Sequence, residues 1–207
     1  MNNVHKEPIR VTKADAEGAA DAMAKAFQDY VMFRYFYPDE EKRRKLIYPL
    51  LASAVYYGIR YGEVYAPSPA FEGAAVWVPS GNCPLTLGRI IRSVPPGIIW
   101  KLVRNMAAPM KEPNDYIDAV HARLVPFKHM YLQSIGINPL YQGQGCSGRL
   151  IRPMLARLDA EKMPCYLETL EKKNVSIYEH MGFTLIDESQ IPGTELWCYA
   201  MLRDNRQ

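Results

Sequence analysis

Ile135-Gly136-Ile137-Asn138-Pro139-Leu140-Tyr141-Gln142-Gly143-Gln144-Gly145-Cys146-Ser147-Gly148-Arg149-Leu150 carries the change of periodicity that decides the fold. Residues 130–137 alternate as a strand and 138–142 form a turn around Pro139. Residues 143–148 make a glycine-rich loop, and 149 to about 161 recur at helical spacing. Beyond the helix, residues 164–169 predict a second strand and 174–181 a short helix ended by Gly182. Residues 183–186 and 196–202 predict closing strands. The two strands flanking the long helix are expected to form a parallel pair.

A glycine-rich loop at a helix start cradles phosphate oxygens, because bare N–H groups and the positive helix end face the anion while missing side chains permit close approach. As a triphosphate loop the match is Gly143, four residues and Gly148, but Arg149 and Leu150 stand where Lys and Ser/Thr are needed, so the magnesium hydroxyl is lacking. As a dinucleotide fingerprint, Gly143, Gly145 and Gly148 fit G-x-G-x-x-G, with Glu168 20 residues beyond Gly148. Five residues then separate the strand from the first glycine. The stretch beyond residue 169 is too short for a second nucleotide-binding half.

Upstream, Thr12 and Asp15 start a helix whose Ala16, Ala19, Ala20, Met23, Ala26 and Phe27 share one face. A second helix runs from about Asp39, with Pro49 as boundary or kink. Tyr30, Phe33, Tyr35, Phe36 and Tyr37 lie between them in a predicted connecting loop, either packed beneath it or lining a pocket for a flat apolar substrate. Residues 63–66 and 73–78 predict an antiparallel hairpin. Residues 83–126, broken by Pro84, Pro95, Pro96, Pro109 and Pro113, predict an inserted helical cap with its cleanest amphipathic piece near 116–124. With no linker or repeat, residues 1–207 are expected to form one domain.

The chain has 207 residues, 48% apolar and 23% charged, with 25 Lys+Arg against 22 Asp+Glu. That composition is globular, and a charge of +3 is too weak to drive nucleic-acid binding by counterion release. Cys83, Cys146, Cys165 and Cys198 are scattered, without a C-x-x-C pair or histidines at ligand spacing, so reduced thiols and no metal are expected. Arg92, Pro95 and Lys101 interrupt the best apolar run and residues 1–10 lack a signal-like core, so a cytoplasmic protein without membrane partner is expected.

The loop, followed by Tyr178-Glu179 and Gly182-Phe183, resembles the GCN5-related N-acetyltransferases, in which it binds coenzyme A. The family pattern is Gln or Arg, two residues, Gly, one residue, then Gly or Ala; Ser147 departs from it at the last place. Cys165-Tyr166-Leu167-Glu168-Thr169, Lys173-Asn174-Val175 and Trp197-Cys198 further resemble the branch containing puromycin N-acetyltransferase, with Ala26-Phe27-Gln28-Asp29-Tyr30 and Ala75-Val76-Trp77-Val78 in matching order. The resemblance is strong over residues 131–183 and faint before 128.

The resemblance implies an α/β fold with a mixed, mostly antiparallel sheet, helices on both faces and a parallel pair that splays at the cofactor site. It implies acetyl-CoA as co-substrate, with pantetheine against Ile135, Gly136 and Ile137 and the diphosphate on the main chain of Gln142, Gly143, Gln144, Gly145, Cys146, Ser147 and Gly148. Asn174 either caps the short helix or bonds the pantetheine amide. Tyr178 matches the family's general acid. Glu168, and less directly Glu179, are candidate bases. His129 reads as a surface or edge residue and His180 as a helix-end residue. The expected reaction is direct acetyl transfer to a primary amine of a small molecule, with a non-catalytic acyl-CoA-binding module as the alternative.

Overall fold

The computed structural model describes residues 7–105 and 110–206; residues 1–6 and the break expected at Pro109 lie outside them. Seven strands form one sheet: β1 (Ile9–Arg10), β2 (Glu63–Ala66), β3 (Gly73–Pro79), β4 (Met130–Ile137), β5 (Cys165–Thr169), β6 (Thr184–Gln190) and β7 (Trp197–Arg203). Their order is β1-β2-β3-β4-β5-β7-β6. Every neighbouring pair is antiparallel except β4 with β5. The sheet is therefore mixed and mostly antiparallel, as expected, and contains no doubly wound nucleotide-binding half, which removes the dinucleotide reading.

The parallel pair parts almost at once. Met130 opposes Cys165 and Tyr131 opposes Tyr166; beyond them β4 is paired only with β3 and β5 only with β7. On β4, Gln133 is an extra residue between Leu132, opposite Trp77, and Ser134, opposite Val76. A bulge bends its strand and strengthens its twist, and here it sits where β4 leaves β5.

Helices α1 (Ala16–Ala26), α2 (Val31–Phe36) and α3 (Glu40–Tyr61) pack with β2 and β3, while α7 (Cys146–Ala160) covers the opposite face. Between β3 and β4 stand α4 (Leu87–Ser93), α5 (Pro96–Asn105) and α6 (Lys111–Leu124), and α8 (Lys172–Glu179) follows β5. Small residues let α1 lie close to the sheet: Ala16, Ala19 and Ala20 are fully buried. A Cβ on Gly136 would come within 2.8 Å of the Ala26 Cβ and 2.9 Å of the Phe27 ring.

Three local expectations are corrected. The aromatic segment is helical at α2 rather than a loop. The buried Arg43 guanidinium secures it by donating to the carbonyls of Gln28 (2.7 Å), Tyr37 (2.8 Å) and Pro38 (3.0 Å). Pro49 neither ends nor bounds α3, which runs 22 residues through it. A helix-interior proline costs about 3 kcal/mol, and burial of Leu46, Ile47, Leu51, Ala52 and Val55 along one face outweighs it at roughly 1.5–3 kcal/mol for each large apolar side chain. The long helix α7 starts at Cys146 rather than 149, because Gly145 takes a left-handed conformation (φ +75°) as its N-cap and turns Cys146, Ser147 and Gly148 into the first helical turn. Among the described residues no helix is long and apolar enough to cross a membrane.

Candidate active site

The divergence of β4 and β5 opens onto a cavity of about 1040 Å³. Gln133, Ser134 and Ile135 reach it from β4, Leu167, Glu168 and Thr169 from β5, and Asn174 and Tyr178 from α8. Phe27, Tyr30 and Phe33 close it on the α1–α2 side, and Asp118 and His121 on the α6 side. The Tyr30 hydroxyl accepts the Leu170 N–H at 2.9 Å, pinning the aromatic segment to the end of β5. Phe27 and Tyr30 meet edge to face, with ring centroids 5.2 Å apart. Of the aromatic cluster, Tyr30 and Phe33 thus line the cavity, whereas Tyr35, Phe36 and Tyr37 lie outside its lining.

Glu168 is the most perturbed carboxylate. The Tyr131 hydroxyl donates to its Oε1, possible because Tyr131 and Tyr166 are register partners and Glu168 follows on the same face. Its Oε2 is buried without a partner, although the residue as a whole keeps some exposure. Burial pushes the carboxyl up to about 7; the Tyr131 hydrogen bond opposes the rise and the negative Asp118 adds to it. Burial also holds the Tyr131 phenol far above its ordinary value, reinforced by the Glu168 charge.

Burial pushes Tyr178 up to about 12, with a smaller contribution from Cys165. Its ring packs edge to face on Phe183, with centroids 5.9 Å apart. Asn174 does not cap α8, which starts two residues earlier at Lys172; its side-chain amide instead donates to the Thr169 Oγ1 at 3.1 Å. Glu179 is exposed. His180 is the exposed C-cap of α8, its Nδ1 2.5 Å from the Ser176 carbonyl oxygen.

Ile135, Glu168, Asn174 and Tyr178 therefore face one cavity, whereas Gly136, Ile137 and the run from Gln142 through Gly148 lie outside its lining. Gln142 to Gly145 are exposed at the surface. Gly143 (φ +77°) and Gly145 (φ +75°) take left-handed conformations with open space before them, so any side chain there would be strained. Residues 142–145 form a turn that leads into α7, where a bond runs from the Arg149 N–H to the Gly145 carbonyl (3.1 Å). Left-handed glycines ahead of a helix N-terminus are the backbone pattern of anion nests. The Gln142 and Gln144 side chains fold back, donating to the carbonyls of Ile137 (3.1 Å) and Leu140 (3.3 Å). Cys146 is buried, with the Arg149 guanidinium 3.0 Å from its sulfur.

His129 departs from expectation. It is buried rather than at the surface, with its Nε2 2.8 Å from the His121 Nε2 and its Nδ1 2.7 Å from the Phe127 carbonyl oxygen. His121, Tyr131, Gln133 and Asp118 are site residues that sequence reasoning misses. For Tyr131 and Gln133 the signal is polar residues on a strand that faces Tyr166 and Glu168, where a buried sheet calls for apolar ones.

No protein-family model matches the chain. An uncharacterized N-acetyltransferase of Schizosaccharomyces pombe is 27% identical over 184 residues, 84% of this chain and 72% of that protein. A Corynebacterium glutamicum structure described as histone acetyltransferase HPA2 and related acetyltransferase superposes with a TM-score of 0.61 at 21% identity, covering 96% of this chain and 97% of that one. The C-terminal condensation domain of Ebony, in complex with β-alanyl-dopamine, superposes with a TM-score of 0.69 at 7% identity, over 96% and 98%. The splayed parallel pair in a mostly antiparallel sheet, matched over nearly the whole length of these neighbours, gives this chain the fold of the GCN5-related N-acetyltransferases.

Proposed function

We propose that the protein is an acetyl-CoA-dependent N-acetyltransferase that moves the acetyl group directly to a primary amine of a small molecule. The carrying observation is the parting of β4 and β5 after two residue pairs, which opens between the glycine nest and a cavity holding Glu168 and Tyr178. The fit of coenzyme A rests on two features of this chain. The left-handed Gly143 and Gly145, with open space before them ahead of the α7 N-terminus, suit a diphosphate, and the edge of β4 beyond Tyr131 lacks a strand partner towards β5, leaving main-chain groups near Ile135, Gly136 and Ile137 for the pantetheine amides. The Asn174 side chain, bonded to Thr169 at the end of β5, lines the same cavity. Bound acetyl-CoA supplies an activated acetyl thioester.

The protein's own groups handle the protons. A carboxyl near 7 is half ionised at neutral pH, where a general base combines availability with proton affinity, so Glu168 takes the proton that the attacking amine sheds as the new C–N bond forms. A phenol held near 12 keeps its proton throughout the neutral range, so Tyr178 donates towards the sulfur as the C–S bond breaks. Solvent then exchanges both protons. Asp118 and Glu168 at one end and aromatic rings at the other suit an amine with a hydrophobic body, as does the resemblance of residues 165–169 to the puromycin-modifying branch. The Ebony neighbour is in complex with β-alanyl-dopamine.

Free thiol release from acetyl-CoA across a panel of arylalkylamines, polyamines and aminoacyl nucleosides tests the reading. Amine-dependent release supports it. Acetyl-CoA binding without turnover across the panel would instead support the binding-module alternative, for which Ser147 in the loop is the motivating departure.

A further inference from the structure

Cys83, His121 and His129 come from three places in the chain that the fold brings to one wall of the cavity. Cys83 follows the tight turn Ser80–Asn82 after β3, His121 lies on α6, and His129 immediately precedes β4. Their Sγ and ring-nitrogen atoms all lie within 4.8 Å of one another. We propose that these three side chains form a binding site for a borderline-soft divalent transition metal ion of the Zn2+ class, with a fourth coordination position open to the cavity.

The spacing is close to that of a metal site. Tetrahedral zinc holds nitrogen at about 2.0–2.1 Å and thiolate sulfur at about 2.3 Å, which sets ligand atoms roughly 3.3–3.7 Å apart. The two Nε2 atoms at 2.8 Å need to open by only about half an ångström. The ligands are also oriented from behind. The Phe127 carbonyl accepts from the His129 Nδ1–H at 2.7 Å, a tautomer that leaves Nε2 as the bare donor, as in metal sites whose histidines are held by a carbonyl. The His121 ring stacks on Tyr166, with centroids 4.3 Å apart and planes 20° apart. Cys83 and His129 hang on strand ends joined by the Ser80 N–H to the His129 carbonyl (2.9 Å) and the His129 N–H to the Ser80 Oγ (3.2 Å).

Binding displaces one proton, from the Cys83 thiol, which leaves to solvent as the sulfur–metal bond forms. The Nε2–H that His121 donates to His129 in the metal-free chain moves to its Nδ1. No electron changes hands. The ion would tie α6 to the ends of β3 and β4, and its open position would face the cavity that Asp118, one turn before His121 on α6, also lines.

The test uses the full chain after chelator treatment, with Zn2+ and Co2+ as probes. Expected are one equivalent of Zn2+ per chain, a melting temperature raised by about 5–10 °C at a hundredfold excess over Kd, and a Co2+ complex with thiolate-to-cobalt absorption in the near ultraviolet and intense visible bands of a tetrahedral site. Cys83→Ser should abolish the thiolate band and weaken Zn2+ binding tenfold or more. His129→Gln should weaken it similarly, and His180→Gln, on the exposed end of α8, should leave it unchanged. Substoichiometric Zn2+, or a cobalt spectrum without the thiolate band in the unmodified chain, overturns the proposal without relying on any variant folding. So does Zn2+ affinity unchanged by Cys83→Ser.

Discussion

Glu168→Gln keeps the size of the side chain and the possibility of hydrogen bonding to Tyr131 while removing a charge that the fold holds at a cost. In the unfolded chain the carboxyl titrates near 4.5, and in the folded protein near 7. At 1.36 kcal/mol per pH unit, the ionised form therefore destabilises the folded state by about 3 kcal/mol. The sign follows from proton uptake: between the two values the folded state binds more protons than the unfolded one, so stability falls as pH rises from 4.5 through 7. The groups facing this carboxyl are Tyr131 on β4, Tyr166 on β5, Asp118 on α6, Cys83 after β3 and Cys198 on β7; none of them is cationic, so the Tyr131 hydrogen bond offsets the charge only in part. The glutamine variant should melt several degrees higher at pH 8, at about 2–4 °C per kcal/mol for a chain of this size, and gain under about 1 kcal/mol at pH 5. Its kcat/KM should fall by about 10²–10⁴-fold, the usual contribution of a positioned base. In the parent protein kcat/KM should rise through a pKa near 7, a limb absent from the variant. Differential scanning fluorimetry across pH and thiol-release kinetics read both effects. A rate kept within a few-fold would remove Glu168 from proton transfer, and a lower melting point at pH 8 would refute the burial argument itself.

Tyr178→Phe should lower kcat by about 10²-fold or more with acetyl-CoA affinity nearly kept; pre-steady-state turnover and calorimetric binding together check this, and an unchanged rate would make the ring purely structural. Gly145→Ala forces a side chain into φ +75°, which should cost about 1–3 kcal/mol and weaken acetyl-CoA at least tenfold by isothermal titration, since it deforms the nest. Gly136→Ala drives a methyl to 2.8 Å from the Ala26 Cβ; urea unfolding should show a loss of about 1–3 kcal/mol, and no loss would mean that α1 shifts freely away from β4.

Much of the C-terminal half is readable from residue order. The strand at residues 130–137 is β4 to the residue, because alternation is a local property of the pleat. The start of α7 differs from expectation by three residues because it depends on one backbone angle at Gly145, and glycine permits either helical hand. Pro49 does not act as a boundary, because the proline penalty is local while the apolar face that overrides it is buried. Tyr178 and Glu168 are legible as candidates through motif order, but their environment is not: the partner of Glu168 is Tyr131, on another strand 37 residues away.

From the sequence alone come the strand–loop–helix–strand unit, the glycines whose missing side chains leave a nest of amides, and the parallel pairing that a crossover helix imposes. All of these depend on interactions within a few residues, or on the reach of one connection. Only the tertiary structure decided that β4 and β5 part after Tyr131, that an unpaired carboxylate oxygen lies between them, and that Cys83, His121 and His129 converge on one wall. Bulges, burial and cross-chain proximity are set by which surfaces the whole chain can hide from water together, and no single segment encodes that.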